Sequence, residues 1–109
     1  MKLMDIIDGK NVDQYELDKL DKELFESDVE VYLDLLNDHL KNVSIYILFK
    51  KYPIQKLYDI QKENKDVLEK FIRVFSLCTK LKIHNNKLQD ISKKIRFVHS
   101  TVQKFLQLN

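Results

Sequence analysis

Three histidines (His39, His84 and His99), one cysteine (Cys78) and the carboxylates Asp34 and Asp38 are the side chains of this 109-residue chain best suited to chemistry. A metal site built on helices needs two histidines one turn apart or a Glu-x-x-His pair. His39, His84 and His99 stand at neither spacing. Arg73, Lys80 and Lys82 lie close enough to Cys78 in sequence to favour a thiolate, but the stretch around it is heavily apolar. That environment predicts a buried, inert thiol. Asp34 and Asp38 share a helix face, yet acid–base work needs a cleft that separates their proton affinities, and the residues around them describe a solvated face. One glycine cannot build a phosphate-cradling loop. The residues therefore predict no catalytic site, no metal and no cofactor.

The elements that carry these side chains are predicted to be helical. One Gly and one Pro leave the tight corners of a β-rich domain unsupplied, and no alanine is present to permit the closest helix crossings. Leu, Ile, Val and Phe make up 40 residues, enough to build a core in a single domain spanning residues 1–109. Residues 1–10 read as a short arm ending at the turn Asp8-Gly9-Lys10-Asn11. A helix from Val12 to Glu26 follows, capped by Asn11 or Asp13, with Leu17, Leu20 and Leu24 at helical spacing. Ser27-Asp28-Val29-Glu30 has the form of a capping box and predicts a new helix. Its buried stripe would be Val29, Tyr32, Leu33, Leu36, Leu40, Val43, Tyr46 and Ile47, ending at Lys50-Lys51-Tyr52-Pro53. A helix from Pro53 or Ile54 should break near Asn64, within a stretch that has no apolar face. The run Val67–Ile83 reads as the central helix, His84-Asn85-Asn86 as the next turn, and Lys87–Leu106 as the last helix. The fold class predicted is an all-α helical bundle of four or five helices with antiparallel helix hairpins.

Two features stand out against this background. Val67, Val74, Leu81, Leu88, Ile95 and Val102 fall at one heptad position, and Leu77, Ile91, Val98 and Phe105 at its partner. Such a register describes either packing inside one bundle or a seam offered to another helix. In the last helix the seam is narrow and flanked by charge, which predicts an amphipathic surface for another protein or a second copy of the chain. Its anchors would be Leu88, Ile91, Ile95, Val98, Val102 and Phe105, with Lys87, Lys94 and Arg96 setting orientation. On that expectation, aspartate at Ile95 and Val102 abolishes partner capture and leaves helicity in place.

The second feature is charge asymmetry. Residues 1–49 hold 12 acids against 5 lysines, a net of −7, whereas residues 50–109 hold 14 Lys and Arg against 5 acids, a net of +9. The basic half supplies an alternative function, nucleic-acid binding through Lys80, Lys87, Lys93, Lys94 and Arg96. Against it, the basic residues are mostly Lys, not the Arg that reads guanine edges. The leading expectation is a non-enzymatic interaction module, such as a small regulator, adaptor or assembly subunit. A lone cysteine, an N-terminus that meets Asp5 before any long apolar run, and the lack of a membrane-length apolar stretch point to a reducing intracellular compartment, the cytoplasm first and the nucleus compatible with it.

Overall fold

The computed structural model describes residues 2–49 and 53–108. It has α1 at Leu3–Ile7, α2 at Gln14–Asp18, α3 at Lys22–Phe49, α4 at Ile54–Lys80 and α5 at Asn86–Leu108. The expected all-α bundle is what forms, with no strand among the described residues. The long helices α3, α4 and α5 run up, down and up. α5 packs against both α3 and α4, and α1 lies across α3 and α4 near the start of α3. The Cα radius of gyration is 15.9 Å and the extents are 51 × 24 × 16 Å. A compact chain of this length would have a radius near 13 Å, so much of each long helix faces solvent.

Residues 1–10 are not a loose arm. Leu3, Ile6 and Ile7 of α1 are buried in the common core. Gly9 ends α1 with a left-handed φ of 83°, and the backbone NH groups of Gly9 and Lys10 donate to the carbonyls of Ile6 and Asp5. This is the Schellman closure, which glycine makes without strain. A Cβ on Gly9 would also sit 3.0 Å from Arg73 Cζ. The Arg73 guanidinium donates to the Ile7 carbonyl at 2.7 Å and ties α1 to α4.

The helix expected over Val12–Glu26 is two elements. Asp13 caps α2 by accepting from Glu16 NH at 2.8 Å, and Asp21 accepts from Leu24 NH at 3.2 Å where α3 begins. The capping box at Ser27–Glu30 does not act as one, because those residues lie inside α3. Val29 there is wholly buried, so uninterrupted helix wins over a local cap. The stripe from Val29 to Ile47 is otherwise as expected, each named residue being buried or half-buried. The expected stop at Lys50-Lys51-Tyr52 lies outside the described residues; α4 starts just after Pro53.

No break occurs near Asn64. Asn64 is buried, and its Nδ2 donates to the Ile95 carbonyl at 3.2 Å, so a polar side chain faces α5 in the middle of a continuous α4. The turn into α5 also differs from expectation. Lys82, not an asparagine, takes the left-handed conformation at φ 57°, while Ile83 NH reaches back to the Cys78 carbonyl at 2.8 Å. Ile83 is buried, and seating it in the core fixes the turn one position after Leu81. Asn85 instead caps α5, accepting from Lys87 NH at 2.9 Å. No helix of the described residues is long and apolar enough to cross a membrane.

Candidate functional site

The seam expected to meet a partner is the core of the protein itself. Leu88, Ile91, Ile95, Val98 and Val102 are at most 6% exposed, and Phe105 is half-buried against the same cluster. They project from α5 into the space between α3 and α4. The expectation that the last helix carries more apolar surface than its own molecule covers is therefore corrected: the heptad register records packing within one bundle, where the same knobs-into-holes geometry applies.

The orienting charges are likewise drawn inward. Lys87 Nζ donates to Glu30 and, at 2.7 Å, to Asp34; Asn85 Nδ2 donates to Glu30 Oε2 at 2.6 Å. Lys94 pairs with Asp90 at 3.0 Å and donates to Asn37 Oδ1. Lys87 opposite Glu30 and Lys94 opposite Asn37 set α3 and α5 in parallel register, so part of the acidic half does lie against the basic half. Arg96 Nη2 donates to Ser92 Oγ within α5. Of the five residues of the nucleic-acid alternative, Lys80, Lys93 and Arg96 are exposed and ion-pair with nothing among the described residues.

Lys87 and Asn85 hold the Glu30 carboxyl below its ordinary value, and Asp34 and Glu30 raise the Lys87 ammonium above its own. A lowered carboxylate contributes stability that is complete above its unfolded value of 4.5 and is lost as pH falls through the folded value. A raised ammonium contributes below 10.5 and loses that contribution as pH rises through its folded value. Urea midpoints are therefore expected to fall between pH 5 and pH 3. The Glu30→Gln variant should show a smaller fall, and an identical fall in the two proteins would remove Glu30 from the account.

The residues singled out for chemistry do not converge. His39 Nε2 lies 3.7 Å from Glu63 Oε1 between α3 and α4, His84 is in the α4–α5 turn, and His99 faces outward from α5. No group of three or more His, Cys, Asp or Glu among the described residues is placed to hold a metal. Cys78 is fully buried, and burial, with the Glu26 carboxylate adding to it, pushes its thiol up to about 11. Asp34 is taken by Lys87, and Asp38 is exposed.

What the structure does bring together is apolar surface on the outside of the bundle. Leu24, Val31 and Leu35 of α3 are 61%, 59% and 66% exposed. At spacings of seven and four they share one helix face, opposite the buried stripe; exposed Ile45 lies roughly 80° round from Leu35, with Asp38 and Asn42 between them. Asp28 and Asp38 flank this face. At its start Leu24 lines a groove with Tyr15, Leu20 and Phe25, edged by Glu16 and Asp21. Lys19 Nζ sits 4.3 Å above the Tyr15 ring.

A second outward face runs along α4 through Ile54, Tyr58, Leu68 and Ile72, with Lys62 and Lys65 at its middle and Lys80 beyond it. Leu68 borders a groove with Gln61, Lys65 and His99, and Ile72 borders another with Val12, Ser76 and Lys80. The sequence carried a signal for the α3 face: Leu24, Val31 and Leu35 lie off the Val29–Ile47 stripe and give the helix a second apolar side. Sequence reading missed it because Leu24 is read there with Leu17 and Leu20 as the inner stripe of a separate Val12–Glu26 helix, whereas it is exposed on α3, in line with Val31 and Leu35. No protein-family model matches this chain, and no curated protein sequence or solved structure is significantly similar to it.

Proposed function

We propose that the protein is a non-enzymatic protein–protein interaction module, of the kind used by small regulators, adaptors and assembly subunits, and that it docks through the outer face of α3. The observation that supports this reading is the stripe of Leu24, Val31 and Leu35, each more than half exposed on one side of a helix whose other side is core. Single exposed aliphatics are ordinary, whereas an aligned set with acidic edges has the anatomy of a contact surface: an apolar centre and a polar rim. The rigid bundle behind it presents the stripe without an ordering cost at the moment of binding.

A photo-crosslinking amino acid placed at Leu35, in the cells that make the protein, tests the reading. A discrete protein adduct is expected there. The same group at Gln89, on the outer side of α5, should give none, and Val31→Glu should abolish the Leu35 adduct. Equal, diffuse labelling at Leu35 and Gln89 would overturn the proposed docking face.

A further inference from the structure

We infer that the occupant of the α3 face is the α4 face of a second copy of the chain, so that the protein assembles head to tail. This rests on the reading of the α3 face as a docking surface and adds the identity of what covers it.

The two faces match in length and in kind. Leu24 to Ile45 takes in 22 residues of α3, roughly 32 Å of helix, and Ile54 to Ile72 takes in 19 residues of α4, roughly 27 Å. Each is a largely apolar set on the outer side of a long helix, Tyr58 being the aromatic member on α4; α2 borders the α3 set at Leu24 and residues 9–12 border the α4 set at Ile72, and the stripe residues themselves stay exposed. The charges that accompany them are opposite in sign. Asp28 and Asp38 flank the α3 stripe, whereas Lys62, Lys65 and Lys80 accompany the α4 stripe, with Glu69 as an acid beside them. Knobs and hollows also correspond. Leu24 and Leu35, 61% and 66% exposed, stand out on α3; the grooves beside Leu68 and Ile72 lie on α4, each with lysine on its rim.

Charge decides against the symmetric pairings. Two α3 faces packed together would set Asp28 and Asp38 of one copy against those of the other, and two α4 faces would oppose their lysines. Only α3 on α4 pairs acid with base along an apolar centre. Such a contact uses one face from each copy and leaves the other face of each copy open, so association continues past the dimer into a ring or an open row. A single helix face sits at the small end of specific interfaces, which makes the association concentration-dependent and weakened by salt.

Analytical ultracentrifugation of the full chain and two double variants tests this. In the first, Val31→Lys and Leu35→Lys block α3; in the second, Leu68→Gln and Ile72→Gln block α4. All four positions are exposed, so far-UV circular dichroism should be unchanged. The wild-type chain is expected to grow in mass with concentration toward the millimolar range and to lose roughly tenfold in association between low salt and 0.5 M NaCl. Each variant alone should be monomeric, and the equimolar mixture should stop at a one-to-one dimer, since it retains one intact α3 face and one intact α4 face. An α4-blocked variant that still dimerises by itself would overturn the inference in favour of an α3–α3 contact. A wild-type chain that stays monomeric at low salt would also overturn it. In that case a Leu35 crosslink to a different protein would keep the docking face and discard the second copy as its occupant, while no adduct at all would discard both.

Discussion

Replacing Ile95 with aspartate is expected to unfold the protein. Ile95 is 1% exposed, and its neighbours on the inner side of α5 (Ile91, Val98 and Val102) are fully buried aliphatics. Truncating such a side chain costs about 2–5 kcal/mol. A carboxylate placed there finds no cation and must desolvate or take up a proton, adding several kcal/mol more. The total approaches the roughly 5–15 kcal/mol that hold a small domain together. Loss of the helical signal at 222 nm near neutral pH, or a melting midpoint near or below room temperature, is the expected reading. Leu35→Asp on the outer face of α3 should shift the midpoint by only a few degrees. If Ile95→Asp kept wild-type helicity and melting, α5 would not be enclosed as described. This is the opposite of what the sequence predicts when the α5 seam is taken as a partner surface. The two substitutions together report directly which side of the bundle is inside.

The Phe71→Ala variant should be the most destabilised of the simple truncations in α4. Phe71 is 2% exposed and meets Phe75 edge-on, with ring centroids 5.7 Å apart at 68°. Removing the ring forfeits its burial and the aromatic pair and leaves a void that long helices cannot close, a loss of about 3–5 kcal/mol. For a domain of this size that corresponds to a fall of roughly 15–30 °C in melting temperature. Phe97→Ala is the control, because Phe97 is 46% exposed on α5 and its loss should cost about 1 kcal/mol or less. Equal effects at Phe71 and Phe97 would contradict the assignment of inner and outer faces.

The inner faces were the most legible part of the fold. Periodicity placed Val29, Leu33, Leu36 and Leu40 on one side of α3, and Val74, Leu77 and Cys78 in the core, because a buried stripe repeats at the helical period whatever it packs against. Local signals were less dependable. The Ser27–Glu30 box is overridden by the burial of Val29, and the charged stretch around Asn64 stays helical because Asn64 finds a carbonyl on α5 31 residues away. A cap or a break is a local preference of about a kilocalorie, and tertiary packing outweighs it. The Lys82 turn follows the same rule, being set by where Ile83 is buried.

The candidate site was legible only in part. A heptad register says that α5 packs on something and is silent on whether that partner belongs to the same molecule. Lys87 and Lys94 likewise show a basic row in sequence, but their pairing with Glu30, Asp34 and Asn37 requires the parallel register of α3 and α5. The outward stripes of α3 and α4 emerge once the inner faces are known, as the apolar residues left over.

The strap between Arg73 and the Ile7 carbonyl joins residues 66 positions apart. During synthesis, at about 5–20 residues per second, Ile7 is made roughly 3–13 seconds before the arginine that fastens it. Throughout that interval Leu3, Ile6 and Ile7 lack the α4 side of their packing and can rest only against α3. How long that apolar surface stays half-covered is set by how quickly translation reaches Arg73, in the last third of α4.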